Sequence, residues 1–239
     1  MQKETKKLAV IIPAFNEEQS ITNVVKSINK LHINNFTITA IVINDCSSDS
    51  TLKIISQLNC IALNLPVNLG IGGAMQTGYR YASENKFDYA IQVDGDGQHP
   101  ANQINILIEE ILKGEYNLVI GSRFIDNKGF QSSGLRRLGI NFLRNWIRLF
   151  SGITIYDNTS GFRLMDRKLI ELVSYNYPDE YPEPESLIMF SKKGYKIKEV
   201  AVEMQERQGG ESSIKAFDQL YYMLKVSLAI VYTYIRTKK

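Results

Sequence analysis

The sequence predicts an α/β protein with a Rossmann-like, doubly wound and mostly parallel β-sheet, followed by a C-terminal amphipathic helix. Three observations predict this fold. Short, nearly continuous apolar runs recur along the chain, helical patterns separate them, and polar or glycine-rich motifs follow the apolar runs directly. Buried parallel strands have such runs, and the intervening helices form the crossovers between them.

The predicted strands are runs rich in valine, isoleucine and leucine. The first, LAVIIP, stops at Pro13, and the fourth, YAIQV, stops at Asp94. The full set is 8–13, 38–44, 60–65, 89–93 and 117–121, with a final strand at 196–204.

Between these strands the apolar residues recur at helical spacing. In the fourth helix Ile104, Leu107, Ile108 and Ile111 share one face. The predicted helices are 17–31, 49–58, 70–85 and 101–113, and a basic helix at 134–150 follows them.

The composition is that of an ordinary globular protein. The chain has 239 residues, of which 44% are hydrophobic and 22% charged, so one large domain can bury a full core. The net charge of +3 does not indicate a nucleic-acid partner. Two cysteines without a CxxC motif exclude a disulfide scaffold and a cysteine-based zinc site.

The N-terminus is charged and its apolar run is short, so it is not a signal peptide. No run reaches the ~18 uncharged apolar residues that a spanning helix needs. We therefore expect a cytoplasmic protein with reduced thiols.

The motif QVDGDGQHP follows the fourth predicted strand. In an extended backbone, residues two apart point the same way, so Asp94 and Asp96 can share one bound ion. Mg²⁺ or Mn²⁺ would relieve their mutual repulsion, and Gln98 offers a further oxygen. The alternative is a solvated polar turn, because Asp-Gly pairs are common turn signals. Ligands of doubly wound sheets bind beyond the carboxyl ends of the strands, which favours the metal site.

Three other motifs follow the first three strands and should open onto the same crevice. In PAFNEE, Asn16 is either a helix cap or a contact to a nucleotide. In NDCSSDST, Asp49 has the pattern of an N-cap, and Asp45 is placed to accept a hydrogen bond from a base. NLGIGGA starts a helix with Gly70, Gly72 and Gly73, whose small size permits close approach to an anion.

Arginines cluster after the fifth strand. Arg123, Arg136 and Arg137 can hold a phosphate through paired hydrogen bonds. Arg144 and Arg148 are predicted to lie on a solvated helix face, and His32 and His99 are assigned no role.

Taken together, the motifs resemble glycosyltransferase family 2, which has the GT-A fold. The similarity is to the branch of dolichyl-phosphate mannose synthase and the bacterial polyprenyl-phosphate sugar synthases. It rests on VIIPAFNEE, NDCSSDST, NLGIGGA, QVDGDGQHP, VIGSRF, TSGFRL and ERQGGESSI, which occur in family order over residues 8–214.

The resemblance implies an inverting transfer of a sugar from a nucleotide-sugar donor. Asp94 and Asp96 match the family's metal-binding acid pair, and Gln98 matches a further ligand of Mg²⁺ or Mn²⁺. Arg123, Arg136 and Arg137 fall where the branch holds the acceptor phosphate. The residues assigned to donor binding are Pro13, Asn16, Glu17, Asp45, Asn68, Gly70, Gly72 and Arg207. Glu211 stands where the family often has lysine, which argues against a cationic loop that closes on phosphate.

The acceptor decides whether a catalytic base is needed. A polyprenyl phosphate is already an oxyanion near neutral pH, whereas a glycan hydroxyl needs a base, for which Glu183 and Glu185 are the candidates, with Glu185 preferred. A UDP-linked donor carrying glucose or N-acetylglucosamine is favoured, for cell-wall or other surface-glycan synthesis. A third hypothesis is a non-catalytic protein that binds a nucleotide sugar and regulates a partner.

The C-terminal segment has an apolar helical stripe with flanking cations. Its members are Ile214, Phe217, Tyr221, Leu224, Leu228, Val231 and Ile235. We therefore divide the chain into a glycosyltransferase domain at 1–212 and an amphipathic helix at 213–239. The helix is predicted to contact the inner face of the plasma membrane or a small membrane protein, and the alternatives are a dimer contact or the domain's own core.

Overall fold

A twisted β-sheet organises the molecule, which we describe from a computed structural model covering residues 5–126, 134–206 and 218–238. In these ranges the sheet has seven strands in the order β3-β2-β1-β4-β6-β5-β7. The strands are β1 (Lys6–Ala14), β2 (Phe36–Asn44), β3 (Ile61–Asn64), β4 (Tyr89–Gln92), β5 (Leu118–Ser122), β6 (Arg163–Asp166) and β7 (Ile197–Ala201). All pairs are parallel except those that β6 makes with β4 and β5.

Helices cover both faces of this sheet. They are α1 (Ile21–Asn29), α2 (Thr51–Ile55), α3 (Gly70–Glu84), α4 (Ile104–Ile111), α5 (Gly134–Ser151), α6 (Arg167–Val173), α7 (Pro182–Lys192) and α8 (Asp218–Arg236), with a short 3₁₀ turn at Ala101–Gln103. Alternate residues of β1 point into two separate cores. Val10 packs with residues of α1 and α4, whereas Ile11 packs with α3 and α6. The doubly wound arrangement predicted from the sequence is therefore confirmed.

The differences from the predicted elements have local causes. Residues 17–20 form a turn, so α1 begins at Ile21 and not at Glu17. The antiparallel strand β6 was not predicted, because its four residues carry too short a pattern. The segment YPEPESLIMF is the start of α7, and its first proline occupies the first helical turn, where no amide proton is needed.

The C-terminal helix α8 packs beside α5 and α7. Val226 and Ile230 are fully buried, so one face of α8 belongs to the domain's own core. Leu224, Leu228 and Ile235, which belong to the predicted stripe, are instead strongly exposed. No helix in the described ranges combines the length and the apolar character needed to cross a bilayer.

Gly78 on α3 allows this helix to approach β1 closely. A Cβ atom there would lie 2.3 Å from Cγ2 of the buried Ile11. We expect Gly78→Ala to lower the free energy of unfolding by about 1–3 kcal/mol, because the overpacking outweighs the gain in helix propensity. Chemical denaturation measures this change.

Gly139→Ala on α5 is the matched control. Among the described residues, its Cβ would meet Sδ of Met223 alone, at an ordinary 3.5 Å. Gly139→Ala should stabilise the protein by about 0.5–1 kcal/mol, because alanine is the better helix former. Equal effects of the two substitutions would show that the approach of α3 to β1 is not tight.

Candidate active site

Four loops meet at the carboxyl edge of the sheet, beyond β1, β2, β3 and β4. They carry PAFNEE, NDCSSDST, NLGIGGA and DGDGQHP. Since β1 lies between β2 and β4, and β3 lies next to β2, the loops are neighbours in the fold, as predicted for parallel strands.

The loops after β1 and β2 are joined by hydrogen bonds. Asn16 has a left-handed backbone (φ 57°), its side-chain oxygen accepts from the amide of Ser48 at 2.8 Å, and its amide donates to the hydroxyl of Ser47 at 3.0 Å. The amide of Glu17 donates to the hydroxyl of Thr51 at 2.9 Å. Asn16 therefore links two loops and does not cap α1, whose cap residue is Ser20.

Asp49 acts near the start of α2, close to its predicted capping position. Its carboxylate accepts from the amide of Thr51 at 2.9 Å and from the amide of Glu18 at 3.2 Å. Burial opposes ionisation, but the hydrogen bonds from Thr51 and Glu18 outweigh it and lower the pKa of Asp49. The formal cap residue of α2 is Ser50.

Asp45 joins the loop after β2 to the start of α3. It is buried, and its two carboxylate oxygens accept from the amides of Leu69 (2.7 Å) and Gly70 (2.9 Å). The side chain of Asn68 donates to the carbonyl of Asp45. The structure thus brings together Asp45, Asn68 and Gly70, which we assigned to donor binding. A Cβ at Gly72 would lie 2.2 Å from the carbonyl oxygen of Asp179, so Gly72 serves packing against that segment.

The acid pair lies in a turn, so the extended backbone assumed for it was wrong. Strand β4 ends at Gln92, and Gly97 takes a left-handed conformation (φ 80°). The side chain of Gln92 donates to Oδ1 of Asp94 at 3.0 Å. Asp96 is almost fully buried, and its Oδ1 accepts from the amide of Gln98 at 2.9 Å. Hydrogen bonds, and not strand geometry, therefore orient the two carboxylates.

His99, to which the sequence analysis gave no role, contacts the acid pair. Its Nδ1 accepts from the amide of Asp94 at 3.1 Å, so Nε2 carries the proton and lies 3.7 Å from Oδ2 of Asp94. The ring is buried and stacks on Phe162, with the ring centroids 4.9 Å apart. His99 thus contacts Asp94 from the buried interior and fixes its position.

Two glycines allow other segments to approach the acid pair. A Cβ at Gly95 would lie 3.0 Å from the carbonyl oxygen of Pro13 and 3.4 Å from Cγ of Glu17. One at Gly161 would lie 3.2 Å from Oδ1 of Asp94. The residues of PAFNEE and TSGFRL therefore border the acid pair directly.

The side chains at the acid pair are suitable ligands for a hard cation. Asp94 and Asp96 offer carboxylate oxygens as ligands, and Gln98 offers an amide oxygen. Within the described residues, no three His, Cys, Asp or Glu side chains form a group that could hold a metal ion alone. This set fits Mg²⁺ or Mn²⁺, which bind one or two carboxylates and complete their coordination with phosphate oxygens and water.

Arg123 follows β5 and pairs with Asp157 in the protein interior. Nε and a terminal nitrogen of Arg123 each donate to Asp157 at 2.7 Å, and the amide of Arg123 donates at 3.0 Å. Asp157 is fully buried. The guanidinium predicted to hold the acceptor phosphate thus has a carboxylate partner in the protein.

Glu199 on β7 supports this ion pair. Its carboxylate oxygens accept from the amides of Tyr156 and Asp157, both at 2.7 Å. Burial raises the pKa of Glu199, and the hydrogen bonds from Tyr156 and Asp157 only partly offset this effect. Glu199 therefore fixes the backbone that presents Tyr156 outwards and Asp157 inwards.

A cavity of about 200 Å³ lies beside this segment. It is lined by Phe124, Arg137, Ile140, Asn141, Arg144 and Tyr156. The guanidinium of Arg137 lies 5.5 Å from the centroid of the Phe124 ring, and that of Arg144 lies 5.5 Å from the Tyr156 ring. Aromatic faces attract such cations and hold them in place. The cavity can therefore accept an anion between the two arginines.

The structure corrects the view of Arg144 as a solvated residue, because Arg144 lines the cavity. Arg148 is exposed, as predicted. Arg207 and Glu211 lie outside the described residues, and so does the side chain of Arg136.

The two candidate bases differ in their surroundings. Oε2 of Glu185 accepts from the hydroxyl of Thr233 on α8 at 2.7 Å, so Glu185 ties α7 to α8. Burial raises the pKa of Glu183, whose carboxylate interacts electrostatically with Arg163 and Asp94. The structure thus shows Glu185 as a tether between these two helices.

Arg163, at the start of β6, is the largest fully buried side chain in the described residues. It donates to the carbonyls of Asn158, Ser160 and Glu183 and to the hydroxyl of Ser186. It therefore fastens the segment before β6 to the first turn of α7.

Sequence reasoning missed His99, Asp157, Glu199 and Arg163 as residues that shape the site. His99 and Arg163 stand inside quoted motifs, which was a usable signal. No sequence signal pointed to Asp157 or Glu199, because their partners are distant in the chain.

A family model described as "Glycosyl transferase family 2" matches residues 9–173, more than half of the chain. The chain belongs to glycosyl transferase family 2. A curated relative, the UDP-N-acetylglucosamine–dolichyl-phosphate N-acetylglucosaminyltransferase of Methanococcus voltae, is 30% identical over 220 residues, which cover 82% of this chain and 85% of the relative. The undecaprenyl-phosphate mannosyltransferase of Micrococcus luteus is 25% identical over 222 residues and 87% of each chain.

This family 2 glycosyltransferase also has solved structural neighbours. Glucosyl-3-phosphoglycerate synthase from Mycobacterium tuberculosis, crystallised with Mn²⁺, UDP and phosphoglyceric acid, superposes with a TM-score of 0.70 at 21% identity, over 98% of this chain and 80% of that one. The predicted GT-A fold is confirmed. Membership of the family also favours an enzyme over the third hypothesis, a non-catalytic binding protein.

Glu185 leads to a prediction on pH. Burial raises its pKa in the folded state, and the hydrogen bond from Thr233 offsets this only in part. The unfolded chain therefore releases this proton at lower pH, so ionisation of Glu185 reduces the stability of the fold as pH rises through its folded pKa. Glu185→Gln should keep sugar transfer. Its free energy of unfolding relative to wild type should be higher at neutral pH than at acid pH.

Urea unfolding at the two pH values measures this difference, with Glu109→Gln at an exposed position of α4 as the control. A Glu185→Gln protein that folds normally but has lost transfer would show that Glu185 is a catalytic residue.

Proposed function

We propose that this glycosyltransferase moves a sugar, with inversion, from a nucleotide-sugar donor to a polyprenyl phosphate at the cytoplasmic face of the membrane. The observation that carries the proposal is the cavity lined by Arg137 and Arg144, which suits a phosphate acceptor. The product would serve the synthesis of surface glycans.

One short segment connects the cavity to the acid pair. Tyr156 lines the cavity, and Gly161, five residues later, borders Asp94. Five residues of chain span at most about 18 Å. The backbone at the cavity therefore lies within about 18 Å of the backbone at the acid pair, which supports a single site for both substrates.

On the donor side, Asp45, Asn68 and Gly70 would contact the nucleoside, next to Asn16 and Glu17. Each oxygen of Asp45 accepts one backbone hydrogen bond and retains acceptor capacity for a base. Pro13 borders the acid pair, and Arg207 is assigned to the diphosphate by resemblance alone. A UDP-linked glucose or N-acetylglucosamine is the preferred donor, in keeping with the names of relatives that transfer these sugars.

Asp94, Asp96 and Gln98 would hold Mg²⁺ or Mn²⁺ against the donor diphosphate. The bound cation would stabilise the negative charge that develops on the leaving nucleoside diphosphate. His99 and Gln92 keep Asp94 oriented, and the amide of Gln98 orients Asp96.

On the acceptor side, the protein has to position a charged nucleophile. A phosphate oxyanion needs no general base, which agrees with the use of Glu185 as a tether to Thr233. Arg137 and Arg144 would hold the phosphate, and Arg123 would act indirectly by fixing the segment that carries Tyr156. Holding the acceptor phosphate in a fixed position beside the donor would raise the rate of sugar transfer.

The function is tested by a donor screen that follows nucleotide release with a short-chain polyprenyl phosphate and Mn²⁺. We expect release with a UDP-sugar only when the lipid phosphate is present. Transfer to glycan hydroxyls without lipid phosphate would overturn the proposal.

The metal site is tested by Asp96→Asn. Asparagine keeps the side-chain oxygen that accepts from Gln98, so the turn should survive. We expect turnover to fall by roughly 10²–10³-fold, because one charged ligand at the leaving diphosphate is lost. Paramagnetic resonance of Mn²⁺ should show weaker binding in parallel. Unchanged turnover after Asp96→Asn or after chelation would disprove metal dependence.

The acceptor site is tested by Arg144→Gln, with Arg148→Gln, one turn further along the same helix and exposed outside the cavity lining, as the matched control. Losing a charge-assisted contact should raise KM for the lipid phosphate by roughly 10–100-fold and leave KM for the donor unchanged. Arg148→Gln should change neither constant. Equal effects of the two variants would mean that the cavity does not bind the acceptor.

A further inference from the structure

Helices α5 and α8 together expose a large apolar surface. We call it the outer apolar face, and it consists of Phe142, Leu149, Leu224, Leu228, Tyr232 and Ile235. The side chains of Leu149, Leu228 and Ile235 are 70–73% exposed. Single exposed leucines are common, but contiguous apolar surface of this kind marks an interaction site.

Contacts between the two helices place these residues on one surface. Gly139 faces Met223, Nε1 of Trp146 donates to the carbonyl of Ser227 at 3.3 Å, and the ring of Phe150 lies 5.3 Å from that of Tyr234. Because the partners ascend in the same order in both helices, α5 and α8 run parallel and side by side.

The exposed residues follow helical periodicity on both helices. Leu224, Leu228 and Ile235 share one face of α8, and the buried Val226 and Ile230 lie away from it. On α5, Phe142 and Leu149 are seven residues apart, or about two turns. The inner faces of the two helices are therefore buried in the core. The outer apolar face remains exposed and can bind a partner.

The charges on the two helices favour an anionic lipid surface as that partner. Helix α5 contains four arginines and no acidic residue. Helix α8 contains Lys225 and Arg236 against one acid, Asp218, at its start. Apolar faces flanked by cations bind the interface of anionic bilayers, whereas a second copy of this chain would bring like charges together.

The cavity opens beside this surface. Around α5, Ile140 and Arg144 face the cavity, Phe142 and Leu149 follow on the outside, and Gly139 and Trp146 face α8. A phosphate that lies at the surface of a bilayer would thus enter the cavity at the border of the outer apolar face.

We infer that the outer apolar face of α5 and α8 lies in the interface of an anionic bilayer, where the cavity at its edge receives the phosphate of an embedded acceptor. The part that concerns the acceptor rests on the proposed function. The helices lie along the membrane surface, with the leucine and isoleucine side chains among the acyl chains and the arginines at the headgroups.

The test uses the full chain and vesicles of phosphatidylcholine with or without phosphatidylglycerol. Wild type should sediment with the phosphatidylglycerol vesicles, and the double variant Leu228→Glu/Ile235→Glu should bind at least roughly tenfold more weakly. Leu149→Glu tests α5 independently. Leu112→Glu, at an exposed leucine after α4, is the matched control and should bind like wild type.

Two results would overturn the inference about the membrane. One is equal vesicle binding by wild type and by the double variant, with melting temperatures that show both to be folded. The other is a wild-type dimer that the double variant converts to a monomer without any vesicle binding, which would assign the surface to a second copy of the chain.

Transfer assays separate this inference from the proposed function. The double variant should keep transfer to a water-soluble, short-chain prenyl phosphate and lose at least roughly tenfold in transfer to a long-chain acceptor embedded in vesicles. If both acceptors are used equally well by the variant, the surface is not needed and the inference fails, although the function stands. If wild type binds vesicles but transfers to neither acceptor, the proposed function fails and the membrane surface remains.

Discussion

The buried ion pair between Arg123 and Asp157 is the interaction on which the site depends. Three hydrogen bonds join the two residues, and Asp157 is inaccessible to solvent. Removing one partner of such a pair leaves an uncompensated buried charge, which costs about 3–5 kcal/mol. The pair connects the end of β5 to the segment that borders both the cavity and the acid pair, so each side of the site inherits its position from this contact.

Glu199 extends this support to the edge of the sheet. Because β7 pairs with β5, Glu199 lies opposite Ile120, next to the residues that the ion pair anchors. It accepts two backbone amides from the segment that carries Asp157. Two acidic side chains thus remain close together in the interior, since one is paired with arginine and the other is surrounded by amide donors.

The donor side shows how polar side chains build the loops they belong to. Asn16, Asp45 and Asp49 each bind backbone amides of a neighbouring loop. For Asn16 the sequence left a helix cap and a nucleotide contact as alternatives, and for Asp49 it predicted an N-cap. Their side chains bridge separate loops, a role that single-sequence patterns do not reveal, because the two loops lie about thirty residues apart in the chain.

The sequence alone determined the alternation of strands and helices, the mostly parallel sheet and the edge at which the acid pair lies. These follow from hydrophobic periodicity and strand order, which are local properties of the chain. Only the tertiary structure decided that Arg123 pairs with Asp157, that Arg144 lines a cavity, that Glu185 binds Thr233 and that part of the C-terminal stripe faces outwards. The partners of Arg123, Arg144 and Glu185 stand 12 to 48 positions away in the chain, and only the fold brings them within contact distance.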